Sequence, residues 1–108
     1  MGAMVTILYK SDSVSDPEAR SMAEVLQSII SELVDAKDVF VYLNEAVNTV
    51  AVDPIEVFVQ VNGAKVAEPK KLLEDISTRI IEWKEQNNLT QPINLNVMPV
   101  EWHSKFAV

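Results

Sequence analysis

One histidine, His103, stands beside Trp102 near the end of the 108-residue chain. Imidazole titrates near neutral pH, so His103 is a candidate acid–base group. To act it needs a partner, and the plainer reading makes it a surface or interface histidine. Glu56 is the second candidate. It belongs to Ile55-Glu-Val-Phe-Val-Gln-Val61, in which Ile55, Val57, Val59 and Val61 face one way and Glu56, Phe58 and Gln60 the other. A carboxylate in a pocket between subunits has its pKa raised by desolvation and serves as a base. Its plainer role is a salt bridge or a solvated edge. Lys10 and Lys65 are candidates to bind the carboxylate of a small acid, with Tyr42 and Trp102 as aromatic contacts to the same molecule. Against this stands an ordinary surface role for the lysines and a core or interface role for the aromatics.

Other chemistries are closed by composition. The chain has no cysteine, which removes disulfides, thiol catalysis and thiolate metal sites. With one histidine, a His-based metal site is disfavoured, and no metal is expected. Asp12-Ser-Val-Ser-Asp16 lacks the glycine and terminal glutamate of a calcium loop. The two glycines, Gly2 and Gly63, cannot build a phosphate-cradling loop, so no nucleotide cofactor is expected. No Ser-His-acid set has recognisable local context. A formal net charge of −7, from 16 acidic and 9 basic residues, argues against nucleic acid and anionic membranes as partners. No apolar run approaches the ~18 residues of a membrane span, and no leader pattern opens the chain. A cytoplasmic location is the expectation. Met1-Gly2-Ala3 reads as an appended scar, with Met4 the natural start.

The elements that position these groups follow from periodicity. Val5, Ile7 and Tyr9 alternate with Thr6, Leu8 and Lys10, and both faces are apolar enough for a central strand. Asp16 is the expected N-cap of a helix from Pro17 to Val34, with the stripe Met22, Leu26, Ile29, Ile30 and Leu33. Val39–Leu43 reads as a strand, Asn44–Asp53 as a loop, and 55–61 as the third strand. A second helix runs from Pro69 to Gln86, with the stripe Leu72, Leu73, Ile76, Ile80 and Trp83. Asn87-Asn88 stops it. Ile93, Leu95 and Val97 then alternate with Asn94, Asn96 and Met98, and Pro99 ends the pairing or marks an edge. The order β-α-β-β-α-β reads as one α+β domain over 1–108. It is a pseudo-repeat of two units, about 4–44 and 54–103. Both helices are expected on one face of a four-stranded sheet. The other face, with Glu56, Phe58, Gln60, Asn94, Asn96 and Met98, is too apolar for open solvent and is expected to meet other subunits.

The second half carries a resemblance. Pro54-Ile-Glu-Val57 opens a strand, and Lys70-Lys-Leu72 lies near the start of the following helix. Ile93-Asn-Leu-Asn-Val97 and Pro99-Val-Glu-Trp102 complete the set. Together they resemble the tautomerase superfamily, which includes 4-oxalocrotonate tautomerase, carboxymethyl-hydroxymuconate isomerase and macrophage migration inhibitory factor. The resemblance implies paired β-α-β units, a homotrimer, and proton transfer on a small keto–enol acid by an N-terminal proline. This sequence departs from that pattern. Neither Met1-Gly2 nor Met4-Val5 supplies the proline, and the nitrogen of Pro54 is locked in an amide. Removal of Met4 would expose the Val5 amine, with a reference pKa of about 7.7–8.0, as a substitute base. Pro99 to Trp102 is also one residue shorter than the family's Pro-x-x-x-Trp turn. The same element order fits a ferredoxin-like fold, in which the two units interleave. Two function classes follow. One is a tautomerase-like protein without the proline chemistry. The other is a ferredoxin-like module, dimeric in the simplest case, that binds a small molecule or protein without catalysis.

Overall fold

A computed structural model of the chain describes residues 2–46 and 55–108. In order they form β1 (Ala3–Tyr9), α1 (Asp16–Leu33), β2 (Val39–Glu45), β3 (Ile55–Asn62), α2 (Pro69–Gln86) and β4 (Ile93–Val100). Pro54 and most of the expected 44–53 loop lie outside the described residues; Asn44 and Glu45 extend β2.

The strand with two apolar faces is central. The sheet order is β2-β1-β3-β4. β1 pairs with β2 in parallel and with β3 antiparallel, and β3 pairs with β4 in parallel. Each β-α-β unit therefore keeps its own strands side by side. This overturns the ferredoxin-like alternative, which needs the units interleaved. β4 runs through Pro99 to Val100, so Pro99 marks an edge and does not end the pairing. A proline is tolerated there because β4 is an edge strand and the missing N–H breaks no inner ladder bond.

Both helices cover one face. Ala3, Val5, Ile7 and Tyr9 of β1 and Ile55, Val57, Val59 and Val61 of β3 are buried beneath them, with Met22, Leu26, Ile29, Ile30, Leu72, Ile76 and Ile80 on the helices. α1 packs over β2 and β1, and α2 over β4 and against α1. Each fully buried Ile, Leu or Val side chain contributes about 1.5–3 kcal/mol. Glu32 and Arg79 join the two helices at 2.8 Å, but both are solvent-accessible and add little. No described helix is long and apolar enough to cross a membrane.

The N-terminus of α1 corrects the expectation at Asp16. Ser15 is the N-cap: its hydroxyl accepts from the Glu18 N–H at 3.2 Å. The Glu18 carboxylate accepts in return from the Ser15 N–H at 3.0 Å. This capping box satisfies two otherwise orphan donors, which Asp16 at the cap would not. Ser15→Ala is expected to cost about 1 kcal/mol, read as a lower urea midpoint with an unchanged slope. The Ser15 backbone bond, helped by its hydroxyl, holds the Glu18 carboxyl below its ordinary value. Because the folded pKa is lowered, that stabilisation is present above the unfolded value and fades as pH falls through the folded one. At the other end of the fold, Asn87 closes α2, donating its Nδ2 to the Trp83 carbonyl at 2.8 Å.

Candidate functional site

The pairing register lays the uncovered face of the sheet out in three rows across β2, β1, β3 and β4. They are Phe40–Met4–Gln60–Met98, Tyr42–Thr6–Phe58–Asn96 and Asn44–Leu8–Glu56–Asn94. Along each strand these residues alternate with the buried set, so no rearrangement turns them inward without losing the core. Met4, Thr6, Leu8, Phe58, Gln60 and Met98 are half-buried against one another. Phe40 and Tyr42, on the edge strand, are 47% and 53% exposed. Glu56 is the one charged side chain in these rows, and it accepts from Asn94 Nδ2 at 2.8 Å. Asn96 donates to the Val57 carbonyl at 3.2 Å. The face is a sheet of apolar and amide groups around one carboxylate.

The groups expected to do chemistry fall in separate places. Val5 is fully buried on the helix side of β1, between Val41 and Val59. Glu56 is three residues from Val59 on the opposite face, about 10 Å along the strand. Lys10 follows the end of β1, at the same end of the sheet as Glu56. Lys65 lies in the turn after β3, where Gly63 donates to the Val100 carbonyl at 3.0 Å. Trp102 and His103 leave β4 at that same end, and His103 is exposed, 3.0 Å from the Glu101 carboxylate. Tyr42 lies on the open face near the middle of β2. Within one chain the structure therefore groups Lys10 with Glu56, and Lys65 with Trp102 and His103, at opposite ends of the sheet. Val5, Glu56 and His103 do not converge.

Residues 2 and 3 are built into the fold. Ala3 is buried and pairs with Val39 and Val61. A Cβ at Gly2 would run into the Asp38 carbonyl oxygen, so only glycine fits there.

One polar pair was not legible beforehand. The hydroxyl of buried Tyr9 donates to Asp16 Oδ1 at 2.9 Å, joining the end of β1 to the start of α1. That bond, with burial and the Asp16 charge, pushes the Tyr9 phenol above its ordinary value. Seven positions separate the two residues, and only the packing of α1 on β1 makes them meet. Among the described residues no group of three His, Asp or Glu side chains is placed to hold a metal ion.

No protein-family model and no curated protein matches the sequence. Solved structures do match. A macrophage migration inhibitory factor-like protein from Entamoeba histolytica superposes with a TM-score of 0.69 at 15% identity, over 95% of each chain. A 5-carboxymethyl-2-hydroxymuconate isomerase from Deinococcus radiodurans R1 gives 0.63 at 12%, over 94% of this chain and 83% of that one. FG41 malonate semialdehyde decarboxylase, solved inhibited by 3-bromopropiolate, gives 0.63 at 14%, over 97% and 91%. All three belong to the tautomerase superfamily. This chain has the tautomerase-superfamily fold. Within that fold β1 is the strand Ala-Met-Val-Thr-Ile-Leu-Tyr, and it contains no proline.

Proposed function

We propose that this tautomerase-fold protein works as a homo-oligomer, a trimer with a dimer as the alternative. In this reading it holds a small organic acid between its subunits and does not carry out proline-based tautomerisation. The observation that carries the proposal is the open sheet face. Rows of Met, Leu, Phe and Tyr around a single carboxylate form a contiguous surface that a monomer would leave wet, and such surfaces mark contacts. Covering it with further copies also enlarges the core of a small chain. The absence of proline from β1 supports the second half of the reading, because that strand has no proline amine to act as the base.

Glu56 favours a second reading, in which the protein catalyses proton transfer. Its carboxylate is oriented by Asn94 and lies on the face that an assembly would cover. His103, the Val5 amine after processing, and contacts from Lys10, Tyr42, Lys65 and Trp102 belong to this reading as groups drawn from neighbouring subunits.

Phenylpyruvate and 2-hydroxymuconate serve as probes. The expected result is binding to the assembled protein with no enol–keto conversion above the buffer rate. Turnover abolished by Glu56→Gln would replace the first reading with the second. Turnover that survives Glu56→Gln and His103→Ala would contradict both assignments.

A further inference from the structure

A cleft opens between the helices where α1 begins and α2 ends. α1 lines it with Pro17, Glu18 and Ser21, and α2 with Trp83 and its cap Asn87. Leu89, buried just past α2, also lines it. Positions 17 and 21 are one turn apart, as are 83 and 87, so each pair shares a helix face. Ser21 is too small to fill the space beside the indole, and about 200 Å³ stays open. An apolar cavity of about 150 Å³ takes one benzene ring, so this cleft has room for a single six-membered ring with a short arm. Both helices lie on the covered side of the sheet, so the cleft is separate from the open face.

The polar atoms around the cleft are mostly acceptors left over from capping. Glu18 Oε1 accepts from the Ser15 N–H at 3.0 Å, which leaves Oε2. Asn87 Nδ2 donates to the Trp83 carbonyl at 2.8 Å, which leaves Oδ1. The Ser21 hydroxyl and the Trp83 indole N–H make no hydrogen bond among the described residues. Trp83 is half-buried, so one part of its ring packs in the core and another reaches the cleft. No lysine or arginine is among the described lining residues, and the chain carries a formal net charge of −7. An aromatic face attracts a cation, and a carboxylate makes its stronger hydrogen bonds to a charged donor.

We infer that this cleft binds an arylalkylamine, a single aromatic ring carrying a primary ammonium on a short arm. The ring lies against the Trp83 indole, and the ammonium donates to the Glu18 carboxylate and the Asn87 carboxamide oxygen. Ring and indole supply the apolar contact, and the few acceptors at the rim fix orientation, the usual division of labour in a small-molecule site. Glu18 is exposed, so its ion pair adds modest affinity and chiefly selects the sign of the ligand's charge. Because α1 and α2 belong to different β-α-β units, the bound molecule bridges the two halves of the chain. The site stands whether or not the open sheet face assembles.

Trp83 reports on its own occupancy. The chain has two tryptophans, so Trp102→Phe leaves Trp83 as the only one. Its emission is followed while phenethylamine, 2-phenylethanol or 3-phenylpropionate is added through the millimolar range. The expected result is a saturable change with the amine, roughly tenfold weaker binding of the alcohol, and weaker binding still of the acid. Acids bound on the open face do not reach Trp83, so the two sites are read separately. Ser21→Phe fills the cleft and should abolish the response. Glu18→Gln keeps the cap, because glutamine serves equally in a capping box. It should weaken the amine about fivefold and leave the alcohol unchanged. If the Ser21→Phe protein fails to fold, Glu18→Gln decides the matter. No saturable change with the amine, an acid that binds as tightly, or an amine response untouched by Glu18→Gln would each overturn the inference.

Discussion

Replacing Phe58 by aspartate is expected to dissociate the protein into folded monomers. Phe58 lies at the centre of the open face, in the row Tyr42–Thr6–Phe58–Asn96, with β1 on one side and β4 on the other. In a single chain its side chain is half-buried and reaches solvent, so a carboxylate there remains hydrated. In an assembly closed over that face the carboxylate has no cation in its own rows. Glu56 is the only other charge, it is negative, and Asn94 already donates to it. Burying an uncompensated charge costs several kcal/mol, and 4 kcal/mol is roughly a thousandfold in affinity. Sedimentation at micromolar concentration should show a single monomer boundary with unchanged far-ultraviolet dichroism. Glu82→Ala, on the outer side of α2, should leave the mass as it is in the unmodified protein. If the Phe58→Asp protein stays assembled, the subunits meet elsewhere.

The second large effect lies on the other side of the sheet. Ile7→Ala is expected to cost about 3–4 kcal/mol, within the range for deleting large aliphatic groups in packed cores. Ile7 is fully buried at the centre of β1, flanked by Leu43 on β2 and Val57 on β3. It cannot move toward the helices without opening the ladder on both sides, so the cavity relaxes poorly. A domain of this size holds about 5–15 kcal/mol in total, so the loss is a large share. With a urea slope of about 1–3 kcal/mol/M, the midpoint should fall by roughly 1–4 M. An assembly would add concentration-dependent stability, so the comparison belongs in the Phe58→Asp background or at fixed protein concentration. Phe106→Ala in that same background should not move the midpoint, because Phe106 makes no packing contact within its own chain.

These two predictions fall on the two faces of one sheet, and both faces were legible in the alternation of β3 and β4. So was α2, where the spacing from Leu72 to Ile80 and the asparagines at 87 and 88 mark the whole span. At the cap of α1, Ser15 and Asp16 are adjacent and both residue types favour the position. The deciding signal was Glu18, three residues beyond Ser15. The choice between adjacent and interleaved units was not available locally. It depends on which distant strands pair, and β1 is apolar enough on both faces to be central in either arrangement.

The candidate site was legible as residue types but not as a constellation. Glu56 was placed on the correct face by period-two alternation. Its bond to Asn94 depends on the β3–β4 register, and its distance from Val5 depends on the β1–β3 register. His103 lies beyond the last strand, where no periodicity fixes its direction. Sequence therefore named the groups, while the pairing of strands decided which of them meet.

On the proposed reading the open face is the inside of an assembly. Its most direct test is the mass of the unmodified protein in solution, by light scattering after gel filtration. A particle three times the 12.1 kDa chain mass is the predicted result. A stable monomer at high micromolar concentration, with the Phe58 face open to water, would contradict it.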